Sequence, residues 1–117
     1  MKPAIDNFLP LAPATLHILL SLAGEKMYGY AIMQEVARQS DGRYKLGPGT
    51  LYDNLQRLMK QGLVEEVAGR PEEDSSRRRY YRLSGLGRGV LSAEIDRLRD
   101  VVEHAQARLK LPQPRRT

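Results

Sequence analysis

Residues Gly47 to Glu66 read GPGTLYDNLQRLMKQGLVEE, and the order helix, stop, strand within them decides the fold. Pro48 suits the first turn of a helix, where a missing N–H costs nothing. Leu51, Leu55, Leu58 and Met59 recur at helical spacing and make one apolar face. Lys60 and Gln61 close the helix, and Gly62 can take the left-handed conformation that ends one. Leu63, Val64 and Val67 restart the chain as a strand. Opposite the apolar stripe lie Thr50, Asp53, Gln56, Arg57 and Lys60, flanked by Tyr52 and Asn54. Most of these side chains can bond phosphate oxygens or base edges. An ordinary amphipathic helix with a solvated face shows the same pattern, so these residues alone leave both readings open.

Working outward toward the N-terminus, Pro13 to Ala23 form a helix that is apolar nearly all round, with Leu16, Leu19, Leu20 and Ala23 on one face. Such a helix belongs near the centre of a fold, and Gly24 ends it. Tyr28-Gly29-Tyr30 leads into a second helix, Ala31 to Gln39, with Ile32 and Val36 inward. Ser40-Asp41-Gly42 is a turn. Two helices joined by a short Gly-containing segment, the second followed by a strand, match the helix-turn-helix pattern. Met1 to Leu11 is weakly patterned, an arm or a short helix.

Toward the C-terminus, Leu63 to Val67 and Arg78 to Leu83 are strands, and the loop between them, residues 68–77, is rich in Gly, Pro, Ser and charge. Together they predict a long-tipped β-hairpin, or wing. Tyr80 and Tyr81 are adjacent, so alternation sends one inward and one outward. Arg77, Arg78 and Arg79 suit phosphate contact, or equally a charged guard on an exposed strand edge. The Gly-rich run Ser84 to Gly89 lacks the dinucleotide-binding spacing and no parallel strand follows it; Ser84 reads as a helix cap. The last helix, Leu86 to Lys110, carries Leu91, Ile95, Leu98, Val102, Ala105 and Leu109 at alternating spacings of four and three, a heptad seam. Its competing reading is a helix packed on its own core. A seam that projects from so small a unit calls for a partner, most simply a second copy.

The bulk composition narrows the function classes. The 117 residues suit one domain with a protruding element. With no cysteine there is neither a disulfide framework nor a thiolate metal site. His17 and His104 stand far apart, without ligand spacing, so no metal or other cofactor is expected. The formal charge of +5 favours anionic partners. That charge is uneven: residues 1–76 hold 8 Lys/Arg against 10 Asp/Glu, and residues 77–117 hold 11 against 4. The apolar run Phe8 to Ala23 imitates a secretion signal, but Pro10, Pro13 and His17 interrupt it. No stretch approaches a membrane span, so a cytoplasmic protein is expected. No nucleophile–base pair, metal spacing or phosphate loop argues for an enzyme.

Three motifs in sequence order resemble the PadR family of bacterial transcriptional regulators. Tyr28-Gly29-Tyr30-Ala31-Ile32 is similar to the family's entry into its second helix. Gly49-Thr50-Leu51-Tyr52, with Leu55, Arg57-Leu58 and Gly62-Leu63-Val64, is similar to its recognition helix and first wing strand. Arg79-Tyr80-Tyr81-Arg82-Leu83-Ser84, with Gly87, is similar to its second wing strand and the turn into its dimer helix. Two departures stand out: Asp53 where relatives commonly have Pro, and Met59 where many have Glu. The site where some relatives bind aromatic effectors uses Trp, which this chain lacks, so any small-molecule effector is left unassigned.

The resemblance implies a mainly α protein with a small β-hairpin: a winged helix-turn-helix with a long C-terminal dimerisation helix. Residues 1–84 would form the DNA-binding domain with its arm, residues 85–110 the dimer helix, and residues 111–117 a disordered basic tail. The expected partners are double-stranded operator DNA and a second copy of the chain. Thr50, Tyr52, Asn54, Gln56, Arg57 and Lys60 would contact DNA from the third helix, and Arg77, Arg78 and Arg79 from the wing. Leu91, Ile95, Leu98, Val102, Ala105 and Leu109 would pair the copies. The family usually represses at a roughly palindromic operator. The alternative is a winged helix that binds another protein, which the near-neutral front half also fits.

Overall fold

The computed structural model describes residues 4–69 and 78–110. Four helices surround one core: α1 (Pro13–Ser21), α2 (Gly29–Gln39), α3 (Pro48–Lys60) and α4 (Gly85–Leu109). Three short strands, β1 (Met27–Tyr28), β2 (Val64–Val67) and β3 (Tyr80–Leu83), form an antiparallel sheet in the order β1-β3-β2.

The stretch from Gly47 onward folds as its sequence dictates. Pro48 is in the first turn of α3, and Gly47 stands before it in extended conformation. At the other end Gly62 has φ +78°. The Leu63 amide bonds the Leu58 carbonyl at 2.9 Å and the Gly62 amide bonds Met59 at 3.0 Å. These are the two bonds of a Schellman stop, which satisfies the last carbonyls of the helix and needs a left-handed residue. It also turns Leu63 back beside Leu58, and both are buried.

Leu51, Leu55 and Leu58 of α3 meet Ile18, Leu19 and Leu22 near α1 and Ile32 and Val36 of α2 in a single core. Each is essentially inaccessible to water, so shortening Leu55 to Ala would cost roughly 2–5 kcal/mol. Val64, Tyr81 and Leu83 close this core from the sheet, and Val90 and Leu91 from α4. The first turns of α4 are therefore part of the same unit as residues before 85.

Two local expectations are corrected. The wing is not a bare hairpin, because β1 adds a third strand, with Met27 opposite Tyr81 and Tyr28 opposite Tyr80. A two-residue strand is too short to show alternation in sequence. Nor does one of the adjacent tyrosines face solvent: Tyr80 and Tyr81 are 7% and 1% exposed. Alternation does place them on opposite faces. The added strand then covers the outer one, with the Tyr28 ring edge-on to Tyr80 at 5.7 Å and Lys26 Nζ 5.0 Å above it.

Ser84 caps α4 as its position predicts, its hydroxyl accepting from the Gly87 amide at 2.9 Å. A 3-10 turn at Ile5–Phe8 lays the N-terminal segment on α4. The Leu11 amide then donates to Glu94 Oε2 at 2.9 Å. The seam of α4 divides. Leu91 and Ile95 pack on the chain's own core, and Leu98 is half-buried. Val102 and Leu109 are 48% and 66% exposed, and Ala105 is exposed between them. Val101, outside the heptad pattern, is also exposed. Residues 111–117, the expected basic tail, lie outside the described residues.

Candidate nucleic-acid interface

The outward face of α3 carries Thr50, Tyr52, Asp53, Gln56 and Lys60, all exposed. Asn54 is not among them. It is 8% exposed, and its amide Nδ2 donates to the Thr50 carbonyl at 2.8 Å. Its Oδ1 accepts from Arg57 Nη2, and the same Nη2 reaches Thr15 Oγ1 of α1 at 3.2 Å. Arg57 is itself exposed, and its guanidinium reaches from α3 toward Thr15 of α1. The helical wheel, with Arg57 opposite the apolar stripe and Asn54 on its flank, does not show these bonds, because they depend on side-chain direction and on Thr15 of another helix.

Beside the N-terminal half of α3 is a cleft of about 410 Å³ lined by Tyr28, Gly29, Tyr52, Arg78 and Arg79. Four elements meet here: the end of β1, the start of α2, the flank of α3 and the entry to β3. The Tyr52 hydroxyl packs directly on Gly29, and a Cβ at that position would lie 2.9 Å from Tyr52 Cζ. A methyl group there would push the Tyr52 ring aside. The Arg78 guanidinium stacks 4.3 Å from the centroid of Tyr28, which holds a flexible cation in a defined place. The Tyr81 hydroxyl is held above its ordinary range, first by burial and then by nearby Tyr52 and Glu66, with Arg79 opposing them. The first turn of α2 has no side-chain cap, so its amide N–H groups add partial positive charge at Gly29.

The cleft is therefore cationic, rich in donors and continuous with α3 through Tyr52. Tyr28 and Gly29 were not singled out from the sequence as part of the site. The available signal was Tyr28-Gly29-Tyr30 immediately before a helix, since an uncapped helix start is an anion-favouring place. Arg77 lies outside the described residues, so its expected role has no structural counterpart here. His17 and His104 bond the chain's own groups: His17 Nδ1 faces Gln39 Nε2 at 3.1 Å, and His104 Nδ1 meets the Asp100 carbonyl at 2.8 Å. No helix among the described residues is long and apolar enough to cross a membrane.

Three helices, a small sheet and an exposed polar α3 define the winged helix-turn-helix class. The family described as "Transcriptional regulator PadR-like family" matches residues 18–93. Transcriptional regulator Rv3488 of Mycobacterium tuberculosis is 36% identical over 83 residues, 71% of this chain and 73% of that protein. A transcriptional regulator from Clostridium thermocellum superimposes with a TM-score of 0.66 at 25% identity, over 80% of this chain and 86% of that one. Bacillus subtilis PadR in complex with operator DNA gives a TM-score of 0.62 at 17% identity, over 74% of this chain and 48% of that one, a likeness of fold. The chain belongs to the PadR-like family of transcriptional regulators, whose members are not enzymes.

Proposed function

We propose that the protein is a homodimeric repressor that binds a two-fold symmetric operator in duplex DNA. In this reading α3 enters the major groove, where Thr50 and Gln56 face base edges and Lys60 faces a phosphate. The observation that carries the reading is the cationic cleft of Tyr28, Gly29, Tyr52, Arg78 and Arg79 beside α3. Its donors come from a helix start, a phenol and two guanidinium groups, a set that suits one backbone phosphate flanking the groove. Asn54 is left out of the contact set, because its amide is buried and turned into the helix, held by the Thr50 carbonyl and Arg57. Bacillus subtilis PadR, which shares the fold, has been solved in complex with operator DNA, which supports a DNA partner.

The outer half of the α4 seam, half-buried Leu98 with exposed Val102, Ala105 and Leu109, pairs the two copies, with Val101 alongside. Two-fold pairing sets half-sites one helical turn apart, roughly 34 Å, or a multiple of that. The test is selection of duplexes from a random pool by the purified protein. Recovered sequences should share an inverted repeat at that spacing, and affinity should fall steeply with salt as counterions are released. Transcription from a promoter carrying the repeat should drop when the protein is supplied. A pool that returns no shared sequence would favour the protein-binding alternative.

A further inference from the structure

We propose that Arg57 is a positioning residue: it fixes the angle of α3 on α1 from behind, and so sets base discrimination without touching DNA. The inference rests on the reading of α3 as the DNA-reading helix. Arg57 Nη2 bridges Thr15 Oγ1 at 3.2 Å and Asn54 Oδ1. Asn54 Nδ2 continues the chain to the Thr50 carbonyl at 2.8 Å. A connected polar line therefore runs from α1 into the first turns of α3, directly behind Thr50, Tyr52 and Asp53.

Three features make this line a strut. Its fixed ends are sheltered, with Thr15 6% and Asn54 8% exposed, so their partners matter far more than surface contacts would. Among the described residues it is the one hydrogen-bonded tie between α1 and α3, and α3 otherwise packs mainly on α2 and β2. Finally, no carboxylate among the described residues pairs with Arg57. The Nη2 group that makes both bonds lies one bond farther out than the Nζ of a lysine, so a lysine at this position falls short of spanning Thr15 and Asn54 together. Base-edge hydrogen bonds tolerate only a few tenths of an ångström, so a small tilt of α3 degrades discrimination before it degrades attraction to phosphates.

The test compares the wild type with Arg57→Lys, Arg57→Gln, Thr15→Val and Thr15→Ser. Each binds a duplex selected from the random pool and a scrambled duplex, across a salt series. Thermal melts identify variants that fold. Thr15→Val and Arg57→Lys should each lower the selected-to-scrambled ratio about tenfold, as expected for one lost hydrogen bond to a charged group, with the salt slope unchanged. Thr15→Ser, which keeps the hydroxyl, should retain the ratio. Combining Arg57→Lys with Thr15→Val should cost little beyond either alone, because both break one strut. The proposal is overturned if Arg57→Lys keeps the full ratio, or if Arg57→Gln weakens both duplexes equally and lowers the slope by about one, the mark of a phosphate contact. If Thr15→Val misfolds, the two Arg57 variants still decide. A wild type that does not discriminate the duplexes removes the DNA reading itself, an outcome visible before any variant is compared.

Discussion

Tyr52 is where sequence pattern and site geometry converge. It flanks the polar face of α3, it is 45% exposed, and its hydroxyl rests on Gly29 at the start of α2. Removing that hydroxyl takes no buried apolar surface from the core. Tyr52→Phe should therefore weaken binding to selected duplexes several-fold, about 1 kcal/mol for one hydrogen bond, with the melting temperature held. Gly29→Ala should do more, because the new methyl group displaces the Tyr52 ring; the loss of affinity should exceed that of Tyr52→Phe in the same shift assay. Lys60, at the far end of α3, is exposed, and in the proposed complex it faces a phosphate rather than a base. Lys60→Ala should weaken selected and scrambled duplexes alike and reduce the salt slope by about one. A loss confined to the selected duplex would instead make Lys60 a base reader.

At the scale of elements, the N-terminal segment is held to α4 by one buried carboxylate. Glu94 is 1% exposed, accepts from the Leu11 amide and pairs with Arg97. The Arg97 bond and the Leu11 amide hold its carboxyl below the usual carboxylate range, outweighing the burial that opposes them. A depressed carboxylate stabilises the fold at pH values above its unfolded pKa, and that contribution is lost as pH falls through the folded pKa. Acid unfolding should therefore begin at higher pH in Glu94→Gln, measured by circular dichroism across an acid series, if the neutral side chain mimics the protonated state. Glu94→Ala should cost about 2–3 kcal/mol in urea unfolding, because it strands both the Leu11 amide and Arg97. This contact was not legible in the sequence: residues 11 and 94 are brought together only by packing, and Glu94 sits in an ordinary helical charge pattern. The helices themselves were legible, because Leu51, Leu55 and Leu58, or Ile32 and Val36, repeat at the helical period. The two-residue β1 was not, since it exists only through pairing with β3. The site was half legible for the same reason. Tyr52, Gln56 and Lys60 follow from one helix's periodicity, whereas the cleft needs β1, α2 and β3 to converge, and the bond from Arg57 depends on Thr15 of another helix.

At the scale of the whole molecule, α4 joins two tasks along one axis. Its first turns bury Val90 and Leu91 in the chain's own core. Its last turns leave Val101, Val102 and Leu109 about half exposed or more. A helix of 25 residues extends roughly 37 Å, long enough for both. The division changes which substitution tests pairing. Leu98 is half-buried within the monomer, so a charge there disturbs folding and association together. Val102 is free of the core, and a charge there burdens only the pairing proposed above. Val102→Asp should leave the circular dichroism spectrum of the fold intact yet shift the protein toward monomer in sedimentation, since each pairing would bury two unpaired carboxylates. Binding should follow. In the proposed dimer, two α3 helices on one scaffold would engage the second half-site at high effective concentration, and a monomer would lose that advantage. Affinity for a duplex with both half-sites should fall by at least about a hundredfold, while affinity for a single half-site should change little. A Val102→Asp protein that remains dimeric would place the pairing surface elsewhere and leave the exposed end of α4 for another partner.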